Sequence, residues 1–188
     1  MFGLELTTLS ICTMIAFFGG VIRGFTGFAG SLFMLPCYAL LLGPIAGMNI
    51  VILSGLVGVA FTVKRAIKYS QKKITLFYSL GLCVGAFIGL NFLFQNEISE
   101  ITLYMGIFIL LGTLILFSGW RYKGPQTRLI SLAFGWVTGL FSGFFGVPTG
   151  PFTGIYFLSS PAEKNTIQSN IQLVIIFTIL SFFAYFIL

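Results

Sequence analysis

The sequence contains no histidine and no aspartate, and four glutamates supply all of its acidic side chains. Without histidine and aspartate, the common metal sites and hydrolytic triads cannot be assembled. The glutamates lie near the chain start or in predicted loops, so we find no carboxylate placed for proton coupling. Cysteine is also scarce: Cys12, Cys37 and Cys83 are far apart and lie in apolar segments, as buried small hydrophobic residues do. We therefore expect no enzyme, no metal site and no cofactor.

Charge of either sign is rare. Only 7% of the residues are charged, 57% are hydrophobic, and the mean hydropathy is +1.06, which excludes an ordinary soluble domain. The net charge of +6 would suggest nucleic acid in a soluble protein, but these bases occur in short loops between apolar runs, where they set membrane topology. We expect an all-α, multi-pass protein of the cytoplasmic membrane that binds no nucleic acid.

Glycine, in contrast, is abundant at the centre of the first apolar run, from Thr8 to Leu42. Four glycines occur within eleven residues there: Gly20, Gly24, Gly27 and Gly30. Each costs roughly 1 kcal/mol in a helix interior, so we expect the helix to break near Gly24–Gly30 beside Arg23. A break inside a bilayer needs protein or trapped water around it, as in transporter binding sites. The alternative interpretation is tight glycine packing with an arginine that reaches the headgroups.

The rest of the chain alternates spans and loops. The expected spans are Ile45–Val63, Ile74–Phe94, Ile101–Trp120, a second broken run at Leu129–Leu158, and Ile167–Leu188, which gives six to eight membrane segments. The basic loops at 64–73 and 121–128 should be cytoplasmic. The first run lacks the basic region and the cleavage site of a signal peptide, so we expect it to be retained. Glycines at positions 81, 85 and 89 form a stripe that allows another helix to approach closely.

The two broken runs resemble each other. A shift of 119 positions superposes their glycines: Gly20 on Gly139, Gly24 on Gly143, and Gly27 on Gly146. If both pieces of the first run cross, five crossings separate the starts of the two runs, so the halves should point in opposite directions, as in the inverted repeats of secondary transporters. We expect one membrane domain over 1–188, with repeat one at 8–120 and an incomplete repeat two at 129–188. Whether each broken run crosses fully or re-enters on its own side stays open.

These motifs resemble a known family. The segment from Gly24 to Pro36, GFTGFAGSLFMLP, resembles the first signature of the sulfite exporter TauE/SafE family of membrane transporters, and GLFSGFFGVPTGP, from Gly139 to Pro151, is similar to its second signature. The resemblance implies a permease that moves small anions such as sulfite, sulfonates or related organic acids. Ala29 departs from the pattern, which commonly has glycine there. Counterparts of two spans of the first half are also absent from the second half.

Arg23 is the only charge within a broken run, and a cation at membrane depth usually faces a cavity or a partner. Amide groups in a glycine turn and the positive end of a half-helix suit an anion. The predicted substrate-binding residues are Arg23, Gly24, Thr26, Gly27, Asn49, Ser142, Gly146, Thr149 and Gly150. The alternative for Arg23 is a side chain that snorkels to the cytoplasmic edge. For Asn49 and Asn170, hydrogen bonding between helices is the first expectation and substrate contact the second.

Two functions follow from these features. The first is an anion permease that works by alternating access around the broken runs, with the lipid bilayer and a small anionic substrate as partners. The second is a non-transporting or truncated membrane subunit that packs against partner helices through its glycines. With so few segments to shelter two broken runs, a homodimer is one way to supply the missing cover.

Overall fold

A computed structural model describes residues 6–95, 98–147 and 149–187, without the side chains of 98–102 and 186–187. The described chain is all-helical and contains eight helices: α1 Leu6–Thr26, α2 Gly30–Leu42, α3 Pro44–Tyr69, α4 Lys72–Leu93, α5 Ile98–Phe117, α6 Arg128–Phe145, α7 Gly150–Phe157 and α8 Lys164–Ile187. Five of them are long and apolar enough to cross a membrane: α1, α3, α4, α6 and α8. The predicted all-α, multi-pass fold is confirmed.

Both predicted helix breaks are present. The first lies between Thr26 and Gly30, where Gly27 adopts a φ of +86° that side chains rarely allow. The break therefore falls within the predicted Gly24–Gly30 interval, and Gly20 and Gly24 remain helical within α1. The reason is the solvent: lipid offers no substitute for a helical hydrogen bond, so a chain that lies in it tolerates glycine in a helix.

The first broken run folds back on itself as a helical hairpin. The Tyr38 hydroxyl of α2 donates to the Cys12 carbonyl of α1 at 2.9 Å, near the open end of the hairpin. Near its tip, Gly30 packs against Gly19 and against Arg23. With 13 residues, α2 rises roughly 20 Å and is shorter than a full crossing of about 30 Å. We name this α1–α2 unit the first hairpin.

The second broken run also turns back. At the end of α7, the Tyr156 carbonyl accepts a bond from Gln126 at 2.8 Å, and the Tyr156 hydroxyl lies 2.7 Å from that of Ser131. Because Gln126 and Ser131 flank the start of α6, the eight-residue α7 returns toward the side from which α6 began. We name this α6–α7 unit the second hairpin.

The glycine stripe of α4 packs against α6, and the two helices run in parallel. Gly81, Gly85 and Gly89 face the backbone at Leu132, Trp136 and Leu140, while Gly135, Gly139 and Gly143 of α6 face Tyr78, Leu82 and Ala86. The predicted close helix approach is therefore confirmed, with glycines on both partners. This contact places the starts of α4 and α6 at one end of the bundle.

Except for Arg23, every lysine and arginine lies at that same end, in the last part of α3, at the starts of α4, α6 and α8, or in the loop after α5. We call it the basic end. Arg65 of α3 donates to Asn165 of α8 at 2.7 Å there. The first hairpin opens toward the opposite end and the second toward the basic end, so their tips point at each other. That the two halves are related repeats stays a prediction.

Candidate functional site

The tips of the two hairpins are in contact. The side chain of Phe28, in the first break, lies over α7, where a methyl group built on Gly150 would be 2.9 Å from ring carbon Cδ2 and one built on Gly154 would be 3.4 Å from Cζ. The glycines at positions 150 and 154 are one helical turn apart and so leave a flat surface for the ring. Phe28 thus joins the two breaks.

A cavity of about 60 Å³ lies beside this contact, between the hairpin tips and the helices α3 and α8. A water molecule needs ~10–15 Å³ on this measure, so the space holds a few waters or one small oxyanion. Most of its lining is apolar, from residues such as Leu35, Met48 and Ile179. Its polar side chains are those of Arg23, Ser31, Thr149 and Thr178.

Arg23 is the only charged residue among those that line the cavity. Its guanidinium packs against the middle of α3, where a methyl group built on Gly58 would be 2.9 Å from both Cζ and Nη1. Gly58 is eleven residues before Tyr69, which places the guanidinium roughly 16 Å along α3 from the basic end, at 1.5 Å per residue. Within the described part of the chain, the guanidinium has neither a hydrogen bond nor an ion pair. A cation in this position is available to a ligand.

The hydroxyl groups that line the cavity differ in whether their proton is already used in a hydrogen bond within the protein. Thr178 donates to the Val174 carbonyl at 3.0 Å, and Ser31 donates to the Phe28 carbonyl at 3.2 Å. The Thr149 hydroxyl lies 3.2 Å from that of Thr178 and is buried. Because the Thr178 proton is already used, Thr149 is the hydroxyl that can donate either to Thr178 or to a ligand.

The second break is built around Gly146, which has a φ of +62° and ends α6 in the left-handed conformation. The amide of Val147 donates to the Ser142 carbonyl at 3.1 Å, and the Ser142 hydroxyl donates back to the Val147 carbonyl at 2.5 Å. Ser142 therefore holds the turn closed. Pro151 lies in the first turn of α7, where proline is favoured, and Pro148 lies outside the described residues.

Four of the predicted site residues line the cavity: Arg23, Gly146, Thr149 and Gly150. The other five lie outside it. Gly24 and Asn49 are exposed on helix surfaces, and Gly27 packs against Gln168 of α8. Thr26 is exposed, and its hydroxyl accepts from the amide of Ala29 at 3.0 Å, so it caps the first break. Ser142 bridges the second break, as described above. Ligand binding by any of the nine stays a prediction.

Asn170 is buried and lies away from the cavity. It accepts from the amide of Gln71 at 2.7 Å and from the hydroxyl of Thr75 at 3.1 Å, and donates to the Gln71 side chain at 3.3 Å. The expectation that Asn170 would join helices is confirmed.

Sequence reasoning missed three residues that line the cavity, Phe28, Ser31 and Thr178, and also Gly58, which packs against the Arg23 guanidinium. Phe28 and Ser31 belong to the first glycine motif, which was read only for its glycines and polar turn residues. Gly58 follows Gly55 at a spacing that could have marked a close contact on α3. Thr178 is a single hydroxyl in an apolar span, and nothing in its sequence neighbourhood distinguishes it.

The fold and this site define a multi-pass helical membrane protein in which two helical hairpins meet at a cavity with one cation. A family model described as sulfite exporter TauE/SafE matches residues 12–188, nearly the whole chain. The protein therefore belongs to this family of membrane transporters. No curated protein matches the chain, and neither does any solved structure.

Proposed function

We propose that this protein is a permease of the cytoplasmic membrane that carries a small inorganic oxyanion, with sulfite as the first candidate, through the cavity between the two hairpins. The observation that supports this most is the meeting of both helix breaks at a cavity whose single charge is the unpaired guanidinium of Arg23. The small volume favours an inorganic anion over a bulky organic acid. No catalytic step is part of the proposal.

In the proposed site, the guanidinium of Arg23 supplies the charge, and its planar set of donors suits the oxygens of an oxyanion. The amides of Thr149 and Gly150 are the second group of donors, because neither has a partner within the described chain and both lie at the start of α7. The Thr149 hydroxyl completes the set. Gly146 and Gly150 keep side chains out of the space between these donors.

We further propose that transport occurs by alternating access. The hairpin tips enter from opposite ends of the bundle, so a shift of one tip would open the cavity toward one side of the membrane. The first hairpin is the better candidate for the moving part, because only 6% of the apolar stretch of α1 is buried inside the protein, whereas 33% of that of α6, in the second hairpin, is buried. Few internal contacts allow a segment to move at low cost.

The test is uptake of radiolabelled sulfite into proteoliposomes that contain the purified protein. We expect saturable uptake by the wild type and a loss of at least about tenfold for Arg23→Gln, because that variant keeps side-chain size but removes the charge. Lys64→Gln at the basic end is the matched control and should retain uptake. Wild-type uptake with no loss in Arg23→Gln would refute the role of the cavity. An inactive wild type would instead support the non-transporting subunit.

A further inference from the structure

The charge balance of the cavity limits which anions it can accept, and this inference rests on the function proposed above. Arg23 contributes one formal positive charge, and no acidic or second basic side chain is among the lining residues. The other lysines and arginines are at the basic end, toward which α3 extends eleven residues beyond Gly58. A bound anion therefore faces one full charge at close range.

The helix ends at the two breaks add little to that charge. A helix start has a partial positive charge of about one half and a helix end a partial negative charge of about one half. At the first break, the end of α1 and the start of α2 are separated by only three residues. At the second break, the end of α6 and the start of α7 are separated by four residues. Each pair cancels to a large extent, so the breaks supply directed hydrogen-bond donors rather than net charge.

The free energy of transferring an anion from water into such a cavity has two opposing contributions. The attraction to a single guanidinium grows in proportion to the anion's charge. The loss of hydration grows with the square of that charge, as the Born relation requires. A change from one negative charge to two thus doubles the attraction but quadruples the hydration lost. The apolar side chains of α3 and α8 that line the cavity do not compensate for the lost hydration free energy.

We infer that the cavity selects monovalent over divalent oxyanions of similar size. For a substrate with two ionisation states, such as sulfite, the species bound is the singly charged one. Thr149 and the α7 amides fix the orientation of the ligand, and Arg23 neutralises it. The site then holds a neutral pair, which is the form that a cavity within the membrane accommodates best.

Methanesulfonate and sulfate test this inference, because both are tetrahedral about sulfur and of similar size, a methyl group in one replaces an oxygen in the other, they differ by one charge, and neither titrates near neutral pH. Binding of each sodium salt to the detergent-purified protein is measured by isothermal titration at constant ionic strength. We expect methanesulfonate to bind at least about tenfold more tightly, which corresponds to about 1.4 kcal/mol. Arg23→Gln should lose this binding, and the matched variant Lys64→Gln should keep it.

A second variant separates the effect of the charge in the cavity from the difference in hydration between the two free anions. Ser31 lines the cavity, so Ser31→Lys adds a second cation there and should shift the preference toward sulfate at least about tenfold. Sulfate binding as tightly as methanesulfonate to the wild type would overturn the inference while leaving the permease proposal intact. An unchanged preference in folded Ser31→Lys would also overturn it. If the wild type binds neither anion, the inference is overturned, and the sulfite uptake measurement described above decides the proposed function separately.

Discussion

The glycine contact between α4 and α6 gives the sharpest stability prediction, for the substitution Gly85→Ala. A methyl group at position 85 would overlap the Trp136 carbonyl oxygen and lie 2.7 Å from the Leu140 nitrogen. Both are backbone atoms of a packed helix, so the methyl group can be accommodated only if α4 and α6 move apart. Overpacking of this kind costs about 1–3 kcal/mol, and alanine returns about 1 kcal/mol through its helix propensity. We expect a net destabilisation of up to about 2 kcal/mol.

Gly106→Ala in α5 is the matched control, because no atom lies within 4 Å of a methyl group built there. Only the gain in helix propensity remains, so this variant should be more stable by up to about 1 kcal/mol. Reversible unfolding in mixed micelles, followed by circular dichroism, measures both changes. The reasoning requires the glycine-to-alanine change to lower stability at position 85 and to raise it at position 106. It is refuted if Gly85→Ala is as stable as Gly106→Ala.

Two further variants test polar contacts by the same unfolding measurement. Asn170→Ala leaves buried hydrogen-bonding groups at the start of α4 without their partner and should cost about 1–3 kcal/mol, whereas Asn49→Ala, at an exposed position, should change stability by less than about 0.5 kcal/mol. Ser142→Ala removes the hydroxyl that bridges the second break and should cost about 1 kcal/mol; equal stability of Ser142→Ala and the exposed control Ser10→Ala would show that the bridge contributes nothing.

Composition and spacing predicted the helices well because both signals are local. Apolar runs of about 20 residues identified the long spans, such as Ile45–Val63, which lies within α3. Glycine clusters located both breaks. They did not reveal which glycines would leave the helix, because the outcome depends on packing: Gly27 lies against Gln168, whereas Gly24 has no neighbour.

The direction of the broken runs could not be derived from the sequence. Crossing and re-entry place the charged loops on the same sides, so the basic loops are compatible with either. What the structure adds is contacts between distant residues, such as Tyr38 with Cys12 and Tyr156 with Ser131, which show that each run folds back on itself, as both crossing and re-entry require. Pairings of this kind have no pattern in one sequence.

The candidate site was predicted in part. Arg23 was distinguished by its position as a lone charge in an apolar run, and its place in the cavity agrees with that reasoning. Hydroxyls were harder to assign, because a serine or threonine beside a break can either face the cavity or satisfy the turn. Thr26 and Ser142 bond to the turn backbone, whereas Thr149 lines the cavity. The choice depends on side-chain geometry that spacing does not determine.

The central claim is that the two hairpin tips meet, and a designed disulfide tests it most directly. A Cβ atom built on Gly150 lies 3.6 Å from the Cβ atom of Phe28, within the range of about 3.5–4.5 Å for a disulfide. In a background without the three native cysteines, Phe28→Cys with Gly150→Cys should form a bond in native membranes under mild oxidation. Mass spectrometry of a non-reduced tryptic digest should then show peptide 24–64 joined to peptide 129–164. The pair Phe25→Cys with Gly150→Cys should stay unlinked, because Phe25 is 82% exposed. Free thiols at both positions in the Phe28 pair, or equal linkage in both pairs, would contradict the account.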